Sequence, residues 1–127
     1  MPNRFFVLTL QPNLLCVRMK HYFLVRRLPL GRGFLAINLF GLIFSIRRLN
    51  ASELRHELIH TRQQREMLFL PFFVWYVVEW LVLCLRYCDR MKAYRNISFE
   101  REAYRNQDDE KYLEHRKMYA WTKEIKN

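Results

Sequence analysis

The 127-residue chain has only three glycines, while 51% of its residues are hydrophobic and 16% aromatic. Low complexity and disorder describe such a composition poorly; it belongs to a chain that folds or inserts. Its three cysteines, Cys16, Cys84 and Cys88, are an odd number and include no CxxC pair. Cys84 and Cys88 stand one helical turn apart, so neither a disulfide framework nor a cysteine metal site follows, and buried free thiols are expected. Acidic residues are in the minority, 12 against 22 Lys+Arg, for a formal charge of +10. That excess points to an anionic partner, either nucleic acid or an acidic lipid surface. No basic stripe and no nucleic-acid motif accompanies it, and Tyr22, Phe23, Tyr87 and Tyr94 beside the basic residues suit a membrane boundary. Membrane lipid is therefore the expected partner, and no nucleic acid is expected. The N-terminus gives little sign of a cleavable signal, and none is expected: FFVLTL (5–10) is interrupted by Gln11, Pro12 and Asn13, no small-residue cleavage site follows, and NLLC (13–16) is a poor lipoprotein site. A more coherent stretch opens at Met19, so residues 1–18 read as a non-native or flexible extension and 19–127 as one domain.

Internal repeats are absent as well, and the elements read as a mainly α, α+β chain. FLAINLFGLIFSI (34–46) is too short to cross a bilayer as a helix, which takes about 20 residues. Its Gly41, flanking Gly31 and Gly33, and its β-branched and aromatic residues predict a bent strand or hairpin. Asn50 followed by Glu53 is a capping-box pattern, which predicts a helix from near Asn50 to about Glu66. On it, Glu53, His56, Glu57, His60, Gln63 and Gln64 share one side, expected to stay polar and wet, and Leu54 and Leu58 another. Residues 67–85 form one long apolar helix broken from the first by Pro71. Its length suits a transmembrane or deeply inserted helix anchored by RYCDRMK (86–92), with a buried core helix as the alternative. Glu79 within it must be paired, protonated or facing a polar site: either an arginine takes it, or it accepts the free N–H of a metal-bound histidine. Ser98 is placed to cap a further helix that weakens at NQDD (106–109), and 110–126 predicts a docking C-terminal helix.

HELIH (56–60) carries the chemistry. His56 and His60, one turn apart, aim two imidazoles at one ion, and Glu57 is placed to take a proton from water and return it to a leaving amine. Zn2+ is the cofactor this pattern implies, acting as Lewis acid and water activator. The string arises by chance in about one such chain in a hundred, so its setting in a capped helix adds weight to it. A third ligand must come from another element. The metzincin extension is absent, since Glu66 stands where a histidine is required. SFEREAY (98–104) offers Glu100 and Glu102, about 200° apart around a helix, so that one and not both can face the ion. His21 and His115 read as surface residues.

HELIH followed by FEREAY resembles the gluzincin arrangement of integral-membrane peptidases, namely the CAAX prenyl protease and heat-shock peptidase group and the antibiotic-sensor peptidase group. The second motif of these families has the form Glu-x-x-small-Asp, which by resemblance makes Glu100 the third ligand. Tyr104 stands where their aspartate would be, a departure for which Glu79 is the expected substitute. Over residues 28–121 the chain is also similar to small bacterial membrane-associated proteins with an HExxH site. The resemblance implies a zincin-like helix pair, metal ligands His56, His60 and Glu100, Glu57 as general base and acid, a peptide or protein substrate, and a bacterial inner-membrane location. The larger peptidases carry further transmembrane helices and substrate-binding strands, so a membrane protein partner is a further expectation. The alternative is a non-enzymatic membrane protein whose structural or vestigial metal site, closed by Glu102, Gln63 or Gln64, regulates a partner.

Overall fold

Residues 22–28 and 33–125 are described in the computed structural model, an α+β fold made mainly of helix. The extension expected over residues 1–18, together with Cys16 and His21, lies outside the described residues. Strands β1 (Tyr22–Leu24), β2 (Ala36–Leu39) and β3 (Leu42–Ser45) form one sheet in the order β1-β3-β2. The expected hairpin is β2 antiparallel to β3, with Ala36 opposite Ser45 and Leu39 opposite Leu42, and β1 adds to it in parallel. Phe40 (φ 55) and Gly41 (φ 82) make the two-residue turn, left-handed at both positions as the twist of a tight hairpin requires. The Phe40 ring offsets its backbone strain by packing on Phe69 and Phe73.

Helix α1 (Ala51–Glu66) begins where the capping pattern places it. Asn50 Oδ1 accepts from Glu53 N at 2.8 Å, and the Glu53 carboxylate accepts from Asn50 N at 2.9 Å. The expectation of a wet polar face is corrected: Arg55, His56, Glu57, His60, Gln63 and Gln64 are 0 to 8% exposed, while Leu54 and Leu58 are only part-buried. The helix is folded polar side inward, which is tolerable because β2 and the downstream helices bring polar partners to it.

Left-handed Leu68 and Phe69 turn the chain into α2 (Leu70–Tyr87), which has Pro71 in its first turn where the missing N–H costs nothing. By length and composition α2 can cross a membrane, and only 11% of it is buried. Its inner face meets α3 (Arg90–Asn96) and α4 (Ser98–Asn106) in a core of Phe72, Leu83, Ala93, Ile97, Phe99 and Trp121. Fully burying Phe99 stabilises this junction by roughly 1.5–3 kcal/mol.

Four expectations for this half of the chain are corrected. Among the described residues Glu79 pairs with no arginine and touches no histidine; its carboxylate accepts from Ser98 N at 2.9 Å and Ser98 Oγ at 2.7 Å, and Trp75 Nε1 donates to it at 3.1 Å. Glu79 is thus the anion at the start of α4, where the first N–H groups lack helical partners, and Ser98 is the first residue of that helix rather than its cap. The C-terminal stretch is not one helix but a short α5 (Tyr112–His115) and a 3-10 turn (Ala120–Glu124), separated by extended Arg116 and left-handed Tyr119. Cys84 is part-buried and Cys88 exposed, so the described cysteines are not buried thiols; Cys88 ends α2 in the left-handed conformation.

Candidate metal centre

Helix α1 presents His56 and His60 toward α4, and α4 presents Glu100 back. His56 Nε2 lies 3.0 Å from Glu100 Oε2, His60 Nε2 lies 3.2 Å from the same oxygen, and the two Nε2 atoms are 3.1 Å apart. Three atoms that can each present a lone pair converge on one point, and only a cation, a proton or a metal ion, holds such atoms together. Tetrahedral ligands about 2.05 Å from zinc lie about 3.3 Å apart. The observed triangle is within a few tenths of an ångström of that, and His56, His60 and Glu100, all buried, could hold a metal ion.

The outer atoms of each ligand are engaged, which fixes which atom faces inward. His60 Nδ1 is 2.7 Å from Gln63 Oε1, and His56 Nδ1 is 3.0 Å from Gln107 Oε1. An amide oxygen only accepts, so both rings donate from Nδ1 and face Nε2 inward, where it shares a proton with Glu100 or, once that proton is displaced, can offer its lone pair to a metal ion. Glu100 Oε1 accepts from Tyr76 on α2 at 2.7 Å, leaving Oε2 for the cluster. Gln63 is itself held, donating to Phe99 O at 3.0 Å and to Glu102 Oε2 at 2.8 Å. Glu102 also accepts from Tyr112 at 2.8 Å and from Arg116, which bonds Glu66 as well. Glu102 therefore faces away from the ligand triangle, as its position around α4 requires, and neither it nor Gln63 or Gln64 completes a fourth ligand.

Charge in the cluster follows the geometry. Burial disfavours the charged form of His60, but the Glu100 carboxylate against it prevails and raises its pKa to about 9. Burial likewise opposes the Glu100 charge, and the imidazoles of His60 and His56 hold its pKa far below the ordinary carboxylate value. Glu57, next to His56 in sequence and 8% exposed, is pushed up from its ordinary value by burial, against the pull of His60 and His56. Among the described residues no hydrogen bond reaches its carboxylate; only its backbone carbonyl is used, accepting from Asn38 Nδ2 at 2.7 Å.

Asn38 ties the sheet to the site. Its side chain also donates to Thr61 Oγ1 at 2.7 Å, and its backbone carbonyl accepts from Gln64 Nε2 at 2.8 Å. One polar residue inside an apolar strand was the signal for this in FLAINLFG. Gln107 and Tyr76 carried no comparable signal, because each acts through a contact more than 20 residues away in sequence. Arg55 bonds the Gln107 carbonyl and Ser52 donates to Asp108 at 2.6 Å, which holds the loop after α4 against α1. Tyr104 lays its ring against His56 with centroids 4.5 Å apart, and Gln107, one turn further on, meets Nδ1 of that ring. His115 is on the surface, 3.5 Å from Asp109, and takes no part. Comparison with protein-family models, with curated proteins and with solved structures finds no match for this chain.

Proposed function

We propose that the protein is a membrane-associated zinc metallopeptidase, in which His56, His60 and Glu100 hold the ion and Glu57 is the general base and acid. The observation that carries this reading is the pairing of three inward-facing ligand atoms with the neighbouring Glu57, 8% exposed, whose carboxylate no hydrogen bond engages among the described residues. Three protein ligands match a catalytic site, which keeps a position open, better than a structural site closed by four. Zinc held there supplies a Lewis acid for the scissile carbonyl and lowers the pKa of water. Glu57, its proton affinity raised by burial, takes a proton from the attacking water and delivers it to the leaving amine. Gln63 and Gln107 keep both rings in the ligating tautomer, and Tyr76 keeps Glu100 monodentate. Strand β2, outermost in the sheet and bound to α1 through Asn38, is the element on which an extended peptide or protein substrate is held. The exposed apolar α2 and the basic charge support a membrane location, for which the bacterial inner membrane is the proposed site.

The test is peptidase activity on an unstructured protein substrate, with the zinc-loaded chain against Glu57→Gln. The expected result is turnover in the first and a loss of at least about 100-fold in the second with zinc content unchanged. Equal activity in the two would reject the mechanism. Zinc bound with no turnover in either would favour the reading in which the metal only joins α1 to α4 and serves a partner protein.

A further inference from the structure

Helix α2 has two unlike faces. On one side Phe72, Tyr76, Trp80 and Leu83 pack into the protein. On the other, Val74, Val77, Val78, Leu81, Val82 and Leu85 are 50 to 83% exposed and carry no polar atom. A groove of about 720 Å³ runs along this side, lined by Val74, Val78 and Val82 and also by Glu79, Arg86 and Asn96. From Leu70 to Leu85 the exposed aliphatic strip is about 22 Å long, less than the roughly 30 Å of bilayer hydrocarbon.

The packed face bears on how that strip can meet a membrane. Midway along α2, Glu79 is hydrogen-bonded to Ser98 at the start of α4, and the next residue, Trp80, donates through Nε1 to Arg90 O at 3.4 Å. Helix α3 therefore runs beside α2, carrying exposed Arg90, Lys92 and Arg95. A helix standing across the bilayer would take the exposed Arg90, Lys92 and Arg95 into hydrocarbon with it. A helix lying in the plane of the interface buries only its aliphatic side and leaves these cations in water. Charge agrees: Arg86 borders the groove at one end of α2, exposed Arg90 and Lys92 lie next to it, and exposed Arg65 stands before the other end, in a chain of net charge +10.

We propose that α2 lies flat in the surface of an anionic membrane, its aliphatic side among the acyl chains and its packed side holding the metal centre at the membrane face. The proposal rests on the membrane half of the function proposed above and is independent of its chemistry. Acyl chains lie along the valine and leucine side of the groove, and the basic residues at the two ends meet lipid phosphates.

The experiment uses the full zinc-loaded chain and preformed sealed vesicles, either phosphatidylcholine alone or with one quarter phosphatidylglycerol. Two single-cysteine proteins report the two ends of α2: one keeps Cys88 with Cys16→Ser and Cys84→Ser, and the other carries Arg65→Cys with all three native cysteines replaced by serine. The expected result is binding to the anionic vesicles, at least about tenfold weaker on phosphatidylcholine, with both cysteines open to an impermeant maleimide added outside. Val78→Asp with Val82→Asp should weaken binding at least tenfold while zinc content stays unchanged. One end protected until detergent opens the vesicles would mean that α2 crosses the bilayer and would overturn the proposal. No binding to either vesicle would overturn it too, and would assign the strip to a second copy of the chain or another protein, which sedimentation would distinguish. In that case the membrane half of the reading also fails, and zinc content decides separately whether the chemistry survives.

Discussion

Arg116 is the residue whose loss should reach furthest from the place where it sits. Its side chain is 4% exposed and bonds two carboxylates, Glu66 and Glu102, whose side chains are 8% and 1% exposed. Replacing it with methionine keeps the length and removes the only cation that meets Glu102 among the described residues. A buried ion pair that loses one partner costs about 3–5 kcal/mol, because the charge left behind remains desolvated. Two carboxylates are left here, but Tyr112 and Gln63 still donate to Glu102, and Tyr119 N to Glu66, which places the expected loss near the lower end, about 3 kcal/mol. That is a large share of the 5–15 kcal/mol typical of a domain. Urea unfolding in mild detergent, followed by tryptophan fluorescence, measures it. Adding Glu66→Gln and Glu102→Gln to Arg116→Met removes both stranded charges and should restore more than half of the loss. A loss below 1 kcal/mol for Arg116→Met, or no recovery in the triple variant, would refute the argument that burial of these charges sets the energy.

Gln63→Ala frees His60 Nδ1 and should lower metal affinity about 10- to 100-fold, measured by competition with a chromogenic chelator; an unchanged affinity would mean that the tautomer is set elsewhere. Tyr76→Phe removes the hydrogen bond to Glu100 Oε1, so the cobalt-substituted protein should shift its visible spectrum toward five-coordination, while an unaltered spectrum would leave Tyr76 with no hold on the ligand. In the metal-free protein His60 has its pKa raised to about 9, so the stability it contributes is full below its unfolded value of about 6.5 and is lost as pH rises through about 9. A metal ion must displace that proton, so between those limits binding should release about one proton per ion, read by calorimetry in buffers of different ionisation enthalpy; no buffer dependence would contradict it. Glu100, held low, has the opposite sign: its contribution is present above about pH 4.3 and is lost as pH falls through its depressed value.

What could be read from the sequence was what depends on near neighbours. Asn50 and Glu53 located the start of α1 because a capping box is complete within four residues, and Pro71 marked the new helix because a missing N–H is tolerated in a first turn. The hairpin was visible in the apolar run interrupted by Gly41, although the left-handed Phe40 before it was not, since its compensation comes from Phe69 and Phe73. Periodicity grouped His56, Glu57, His60, Gln63 and Gln64 on one side but said nothing of what covers that side. Only β2 and α4, arriving from both directions in the chain, turn it into an interior. Glu79 was misread for the same reason: its partner is a helix start 19 residues on rather than a cation. At the C-terminus the amphipathic pattern suggested one helix, but Arg116 must reach Glu66 and Glu102 together, and the chain leaves helical geometry there to let it. Glu100 and Glu102 illustrate the limit most plainly, since both are buried and both are bonded to α1 side chains, yet only one shares a point with the imidazoles.

The most direct measurement is zinc bound per chain, by elemental analysis after dialysis against a weak chelator, for the unaltered protein and for His56→Ala, His60→Ala, Glu100→Gln and Glu102→Gln, each checked by circular dichroism. One zinc per chain is expected in the unaltered protein and in Glu102→Gln, and a folded protein with little or none in the other three. A folded, unaltered protein that holds no zinc, or one that keeps it after the loss of Glu100, would contradict it.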